Sequence, residues 1–192
     1  MTALILGLVL FLGVHSVRIF AEPWRRGVRA RVGENAFKGV YSLLSLLGFG
    51  ILIWGFGQAR QQPVVLWPAM TWTRHLAALL MLVSFVLLTA AYVPRNMIKG
   101  RLHHPMVLGV KTWAFAHLLA NNTLADLLLF GSFLVWAVLN FRAARARDRA
   151  AGTVYPPGRA AMTAVTLVAG IVAWAAFAFW AHGVLIGVRP FM

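Results

Sequence analysis

Apolar residues fill almost every position of Ala3–Phe20, Phe37–Gly57, Leu76–Val93, Leu124–Phe141 and Met162–Ile186. These runs lack the continuous polar face that a helix keeps when one side meets water. A helix rises about 1.5 Å per residue, so about 20 apolar residues cross a hydrocarbon core of roughly 30 Å. The pattern therefore predicts five membrane-spanning helices. A sixth stretch, Pro105–Asn121, is shorter and carries Lys111 and His117. Pro105 suits a first helical position and Asn121-Asn122 a helix end. It reads as a sixth crossing helix, with a re-entrant hairpin as the alternative.

The basic residues choose between five spans and six. With six, the first connection holds Arg25, Arg26, Arg29, Arg31 and Lys38, with Arg18 at its edge. The third holds Arg95, Lys99 and Arg101, and the fifth holds Arg142, Arg145, Arg147, Arg149 and Arg159. The alternate connections hold only Arg60 and Arg74, and the C-terminal tail only Arg189. Six spans place every basic cluster on one side, the cytoplasmic side, whereas five would split them. The expected fold is all-α: a polytopic membrane helix bundle of about six transmembrane helices. It forms a single domain over residues 1–192, with both termini on the non-cytoplasmic side. Met1–Leu12 resembles a signal-peptide core, but its basic cluster follows the apolar run, which makes it an uncleaved first span. The connector Gln58–Arg74, with Pro63, Trp67, Pro68 and Trp72, fits an aromatic layer at the outer interface. A quinone- or lipid-binding lid is the other reading of that connector.

Composition agrees. The 192 residues are 61% hydrophobic and 11% charged, with a mean hydropathy of +0.78. A water-soluble domain carries roughly 45–50% apolar and about 25% charged residues. The net charge of +14 would suit nucleic acid, but the cations sit between apolar runs and no soluble basic domain holds them. The expected partner is the lipid bilayer, with no nucleic acid. The absence of cysteine excludes disulfides, iron–sulfur clusters, thiolate-ligated or covalently attached haem, and Cys-based zinc sites. With only Glu22, Glu34, Asp126 and Asp148 as side-chain carboxylates, a paired-carboxylate mechanism or a di-iron carboxylate cluster has little to work with.

What remains is histidine. An ionisable group inside a span points to a functional site by default, since an unsatisfied polar group in lipid costs several kcal/mol, roughly. His15, His117 and His182 are each flanked by apolar residues. On the six-span topology His15 lies in the cytoplasmic half of the first span, and His117 and His182 lie in the outer halves of theirs. His75 and His103 read as interfacial. His104, just before Pro105, suits either a helix-end contact or a catalytic role. Histidines in a bundle without cysteines or clustered acids suit haem b before zinc. Two imidazoles from different helices satisfy haem iron, and the apolar macrocycle suits an intramembrane cleft. Arg18, one turn after His15, and Lys111 suit haem propionates or a snorkelling role at the interface.

Three segments carry a family resemblance: LGLVLFLGVHSVRIF near the N-terminus, HHPMVLGVKTWAFAHLLANN over His103–Asn122, and FWAHGVLIGVRPF over Phe179–Phe191. Together they resemble the NnrU family, bacterial integral membrane proteins associated with denitrification gene clusters, over essentially the whole chain. That family is in turn similar to 15-cis-zeta-carotene isomerase, a membrane haem b enzyme. The resemblance implies haem b with His15 and His117 as axial ligands. It further implies a bacterial inner-membrane location and a role in nitrogen-oxide metabolism or in redox-linked isomerisation. The partner would be nitric oxide or a lipophilic small molecule. Ala114 stands where the isomerase has a cysteine implicated in ligand exchange, so that exchange has no counterpart here. The depth count offers His117 with His182 as the alternative pair.

A second pattern, His104-Pro105 followed by Gly109 and Trp113, resembles the motif of isoprenylcysteine carboxyl methyltransferases, which bind S-adenosylmethionine near the cytoplasmic face. Their second motif is acidic, whereas Arg142–Tyr155 here offers only Asp148 among arginines. A membrane methyltransferase using His104 is therefore the alternative function. A non-enzymatic membrane factor, its histidines only holding helices together, is the third.

Overall fold

The computed structural model describes residues 1–191, and among these it is helical apart from connecting segments. In order run α1 (Thr2–Phe20), α2 (Glu22–Val32), α3 (Glu34–Ala59), α4 (Thr71–Tyr92), α5 (Met97–Leu102) and α6 (Pro105–Ala120). Then come α7 (Leu124–Ala151), α8 (Ala160–Ala176), a π-helical turn (Phe177–Ala181) and α9 (His182–Ile186). Five of these stretches are long and apolar enough to cross a membrane: α1, α3, α4, α7 and the combined Ala160–Ile186. α6, with 16 residues, is the shorter apolar helix expected beside them. The large side chains that elsewhere would form a core point outward: Val9 is 67% exposed, Leu46 68% and Val172 61%. Such surfaces are stable against lipid and not against water. The chain is a multi-pass membrane protein.

The chain divides into two compact units, each built from separated segments: Met1–Pro68 with Asn122–Ala143, and Ala69–Asn121 with the segment from Ala144 onward. In the first unit, α1 and α3 pack antiparallel through glycine. Gly7 lies on the backbone of Leu52, Gly48 on that of Phe11, and Gly55 on that of Leu4. In lipid there is no water to expel, so close backbone approach at small residues is what holds helices together. The connector after α3 joins this unit through Leu66 N–H to the Asn122 carbonyl, 2.8 Å, and Leu124 N–H to the Val64 carbonyl, 2.9 Å. Asn122 Nδ2 also donates to the Trp67 carbonyl at 2.7 Å.

In the second unit α4 packs on α6 and α8. Ser84, fully buried, donates to the Gly109 carbonyl at 2.8 Å, and Gly170 seats against Val86. The α4–α5 corner turns on Asn96, 1% exposed. Its Nδ2 donates to the carbonyls of Ala90 (2.9 Å) and Val93 (2.6 Å), and its Oδ1 accepts from Lys99 N–H (2.7 Å). The side chain thus both ends α4 and caps α5.

Three elements depart from the sequence expectation. The basic connection after the first span is the polar helix α2, started by Glu22-Pro23 and ended at Gly33, whose φ is 85°. α7 continues past Phe141 to Ala151, because alternating alanine and arginine favour helix and the backbone bonds persist after the charged side chains begin. The final span is interrupted by the π turn, which the apolar pattern cannot encode.

Candidate functional site

The three histidines flanked by apolar residues share one local device. His15 Nδ1 lies 2.7 Å from the Phe11 carbonyl and His117 Nδ1 lies 2.9 Å from the Trp113 carbonyl, each one turn back on its own helix. His182 Nδ1 lies 2.6 Å from the Val188 carbonyl. A carbonyl only accepts, so Nδ1 is the donor in all three, which in the neutral ring leaves the lone pair on Nε2. That is the tautomer of an imidazole that binds a metal through Nε2, held by the kind of outer contact that orients such ligands.

His15, in the first unit, sits among rings: Phe11 at 4.2 Å, Tyr41 at 5.4 Å, and Trp136 edge-on at 6.2 Å between centroids. The indole N–H of Trp136 is buried with no hydrogen-bond partner. Such an orphan costs about 1–3 kcal/mol. Arg18, one turn after His15, is on the exposed side of α1.

In the second unit His117 and His182 line one cavity of about 220 Å³, with Arg74, Asn121 and Arg189 as further polar lining. Its apolar walls include Ala77, Ala116, Ala120, Met81 and Phe177. The π turn supplies Phe177 and Ala178 to the wall, and His182 follows directly after its last residue, Ala181. π turns inside longer helices recur at functional sites. Gly187, with φ 77°, then reverses the chain, and Phe191 packs on Phe179 and Trp174 at 4.9 and 6.1 Å. This fold-back lays the Arg189 stem over Gly183.

His104 stands away from this cavity in sequence, at the start of α6. Its Nε2 lies 2.7 Å from Asp148 Oδ2, which also accepts from Tyr155 OH at 3.0 Å. His103, expected to be interfacial, stacks on Tyr155 with ring centroids 4.1 Å apart, and Arg145 donates to its Nδ1. Burial, and after it the hydrogen bond to Asp148, push the Tyr155 phenol above its ordinary range. His103 and Arg95 both hold positive φ, 66° and 54°, a backbone region rare outside glycine. His75 is exposed in the first turns of α4.

His15, Arg18, His117 and His182 thus lie on helices and His103 and His104 in the corner between α5 and α6. The family model described as NnrU protein matches residues 3–190. The chain belongs to the NnrU family. No curated protein and no solved structure matches it. Within this NnrU chain, sequence reasoning missed Tyr155, Trp136, Arg74 and Arg189. Arg189 carried a faint signal, a cation just beyond a span-ending glycine. The others are set by tertiary neighbours alone.

The donor set fits haem b. Two imidazoles of fixed tautomer suffice for haem iron, whereas among the described residues no three His, Cys, Asp or Glu side chains gather to hold a metal ion. The orphan indole beside His15 is the kind of donor that a bound group with an acceptor would satisfy.

Proposed function

We propose that this NnrU protein binds haem b in the bacterial inner membrane, and that His15 and His117 would be the residues that hold it. It would act in nitrogen-oxide metabolism or in redox-linked isomerisation of a lipophilic substrate. The observation that carries the reading is the fixed Nδ1–H tautomer of both histidines, each held by the carbonyl four residues earlier. Holding Nδ1–H on a carbonyl fixes the tautomer and the ring plane before any ligand arrives. Phe11, Tyr41 and Trp136 surround the His15 ring, and Ala116 and Ala120 flank His117 along the cavity wall. Haem b, when bound, would supply a redox-active iron that, once one imidazole is displaced, could take up nitric oxide or polarise a conjugated chain. His182, with the same tautomer, is the alternative mate for His117. A visible spectrum of protein purified after ample haem supply tests the reading. Soret and split α/β bands should vanish in His117→Ala. Loss in His15→Ala but not His182→Ala supports the stated pair, and the reverse supports His182. A colourless wild-type preparation defeats the proposal.

One observation favours the methyltransferase alternative: the His104, Asp148 and Tyr155 cluster at the start of α6. Calorimetric binding of S-adenosylmethionine, abolished by His104→Ala, is the result that reading requires.

A further inference from the structure

α2 hangs between two spans with one residue at each joint, Ala21 after α1 and Gly33 before α3. Backbone bonding runs through both joints: Arg25 N–H donates to the Ala21 carbonyl at 2.9 Å, and Gly33 N–H to the Arg29 carbonyl at 3.1 Å. A helix of 11 residues is about 16 Å long. Tied this closely at both ends, it stays at the level where the two spans leave the hydrocarbon. The polarity of α2 is inverted for a helix that meets water. Its ion pairs lie on the half-buried side: Glu22 with Arg25 at 3.1 Å, and Arg29 with Glu34 at 3.4 Å. Arg25 also lies over the Phe37 ring, 5.8 Å from its centroid. The outer side carries Pro23, Gly27 and Ala30, which follow one another at spacings of four and three and so form a single stripe. Nothing covers this stripe, since a Cβ at Gly27 would meet no atom within 4 Å. Arg26 and Arg31 flank it on either side, and Trp24, 60% exposed, stands beside Arg31. The two acids of this region are engaged by Arg25, Arg29 and Lys38. Arg26 and Arg31 make no ion pair or hydrogen bond among the described residues. An apolar stripe edged by arginine and tryptophan is the design of a helix that lies in the plane of the bilayer surface. Guanidinium forks match phosphate oxygens there.

We propose that the outer face of α2 binds anionic phospholipids, with their phosphates on Arg26 and Arg31 and the Pro23–Gly27–Ala30 stripe against the start of their acyl chains. Trp24 holds the helix at the level of the head groups. The short joints at Ala21 and Gly33 choose lipid as the partner, because they keep this face beside the membrane that α1 and α3 cross. The site lies outside the haem reading and does not depend on it.

The chain has no cysteine, so Ala30→Cys gives a single attachment point on the stripe for a fluorescent label. The labelled full-length protein is placed in nanodiscs of equal parts phosphatidylglycerol and phosphatidylcholine, with bromine near the head-group end of the acyl chains of one lipid or the other. One surface arginine is worth about five-fold in affinity for anionic lipid, so brominated phosphatidylglycerol should quench the label roughly three-fold more strongly than brominated phosphatidylcholine. The double variant Arg26→Gln with Arg31→Gln should bring the two lipids level. Arg149→Gln, which removes an exposed cation of the second unit, should leave the wild-type ratio unchanged. Native mass spectrometry of unlabelled protein should show phosphatidylglycerol retained by wild type and depleted in the double variant. Equal quenching by the two lipids with both arginines present overturns the proposal, and so does a preference that survives in the double variant. A label that neither lipid quenches also overturns it, because the stripe would then face water, another protein or a second copy of this chain.

Discussion

His182 donates from Nδ1 to the Val188 carbonyl at 2.6 Å, across the left-handed turn at Gly187. This bond fastens the end of the last span to the segment that folds back over it, and the same bond fixes the imidazole tautomer. The geometry of a candidate ligand and the position of Arg189 therefore depend on one turn.

Gly187 has open space around its missing Cβ, so a substitution there costs backbone conformation and not packing. Gly187→Ala should destabilise the protein by about 1–2 kcal/mol, read as a lower midpoint in thermal unfolding in detergent. It should also weaken the tie between His182 and Val188. An unchanged midpoint would show that the fold-back is not formed in solution.

Gly55 and Gly50 lie on the same helix but have opposite surroundings. A Cβ at Gly55 would meet the backbone of Ala3 and Leu4, whereas one at Gly50 meets nothing within 4 Å. Gly55→Leu should cost roughly 1–3 kcal/mol by forcing α1 and α3 apart. Gly50→Ala should cost nothing. Comparing the two melting curves checks the α1–α3 contact directly.

Asn96 satisfies two carbonyls and one N–H from a buried position. Asn96→Ala removes a helix cap and leaves buried carbonyls without donors, a loss of about 2–3 kcal/mol from the two terms together. Asn96→Asp keeps the cap and loses both donations, so its midpoint should fall between wild type and Asn96→Ala.

Asp148 accepts from both His104 and Tyr155, linking the start of α6 to the loop after α7. Tyr155→Phe should cost about 1 kcal/mol, the usual net worth of one such bond. The raised phenol pKa has a pH consequence. The stability it contributes is fully present below the ordinary tyrosine value of about 10 and is lost as pH rises through the higher folded value. The fall in unfolding midpoint above about pH 10 should therefore be smaller in Tyr155→Phe than in wild type.

The spans were legible because a bilayer imposes one strong rule, that the backbone bonds inside a helix and the side chains facing lipid are apolar. Pro105 and Asn121 marked α6 correctly for local reasons, φ at the start and loss of helical bonding at the end. The Arg-rich end of α7 was read as a connection because hydropathy reports burial in lipid, and helix formation does not stop where hydrocarbon does. His15, His117 and His182 were legible as candidates because an imidazole among apolar residues needs a partner wherever it sits. Their partners were only half legible. Phe11 and Trp113 lie one turn back on the same helix, but Val188 is reached through a reversal at Gly187 that sequence alone does not locate. His104 could be named from its place before Pro105. Its pairing with Asp148, 44 residues on, arises from how α6 and the end of α7 pack.

The amino-acid sequence by itself determined a cysteine-free, multi-span, cationic membrane chain with histidines inside its apolar segments. Those properties follow from local composition and helical rise, which any fold of this chain inherits. Tertiary structure decided which side chains share a space: His117 with His182, Arg74 and Arg189 around one cavity, and His104 with Asp148 and Tyr155 at the start of α6. Such groupings depend on contacts between residues far apart in the chain, on the π turn and on the reversal at Gly187. No periodicity along the sequence carries that information.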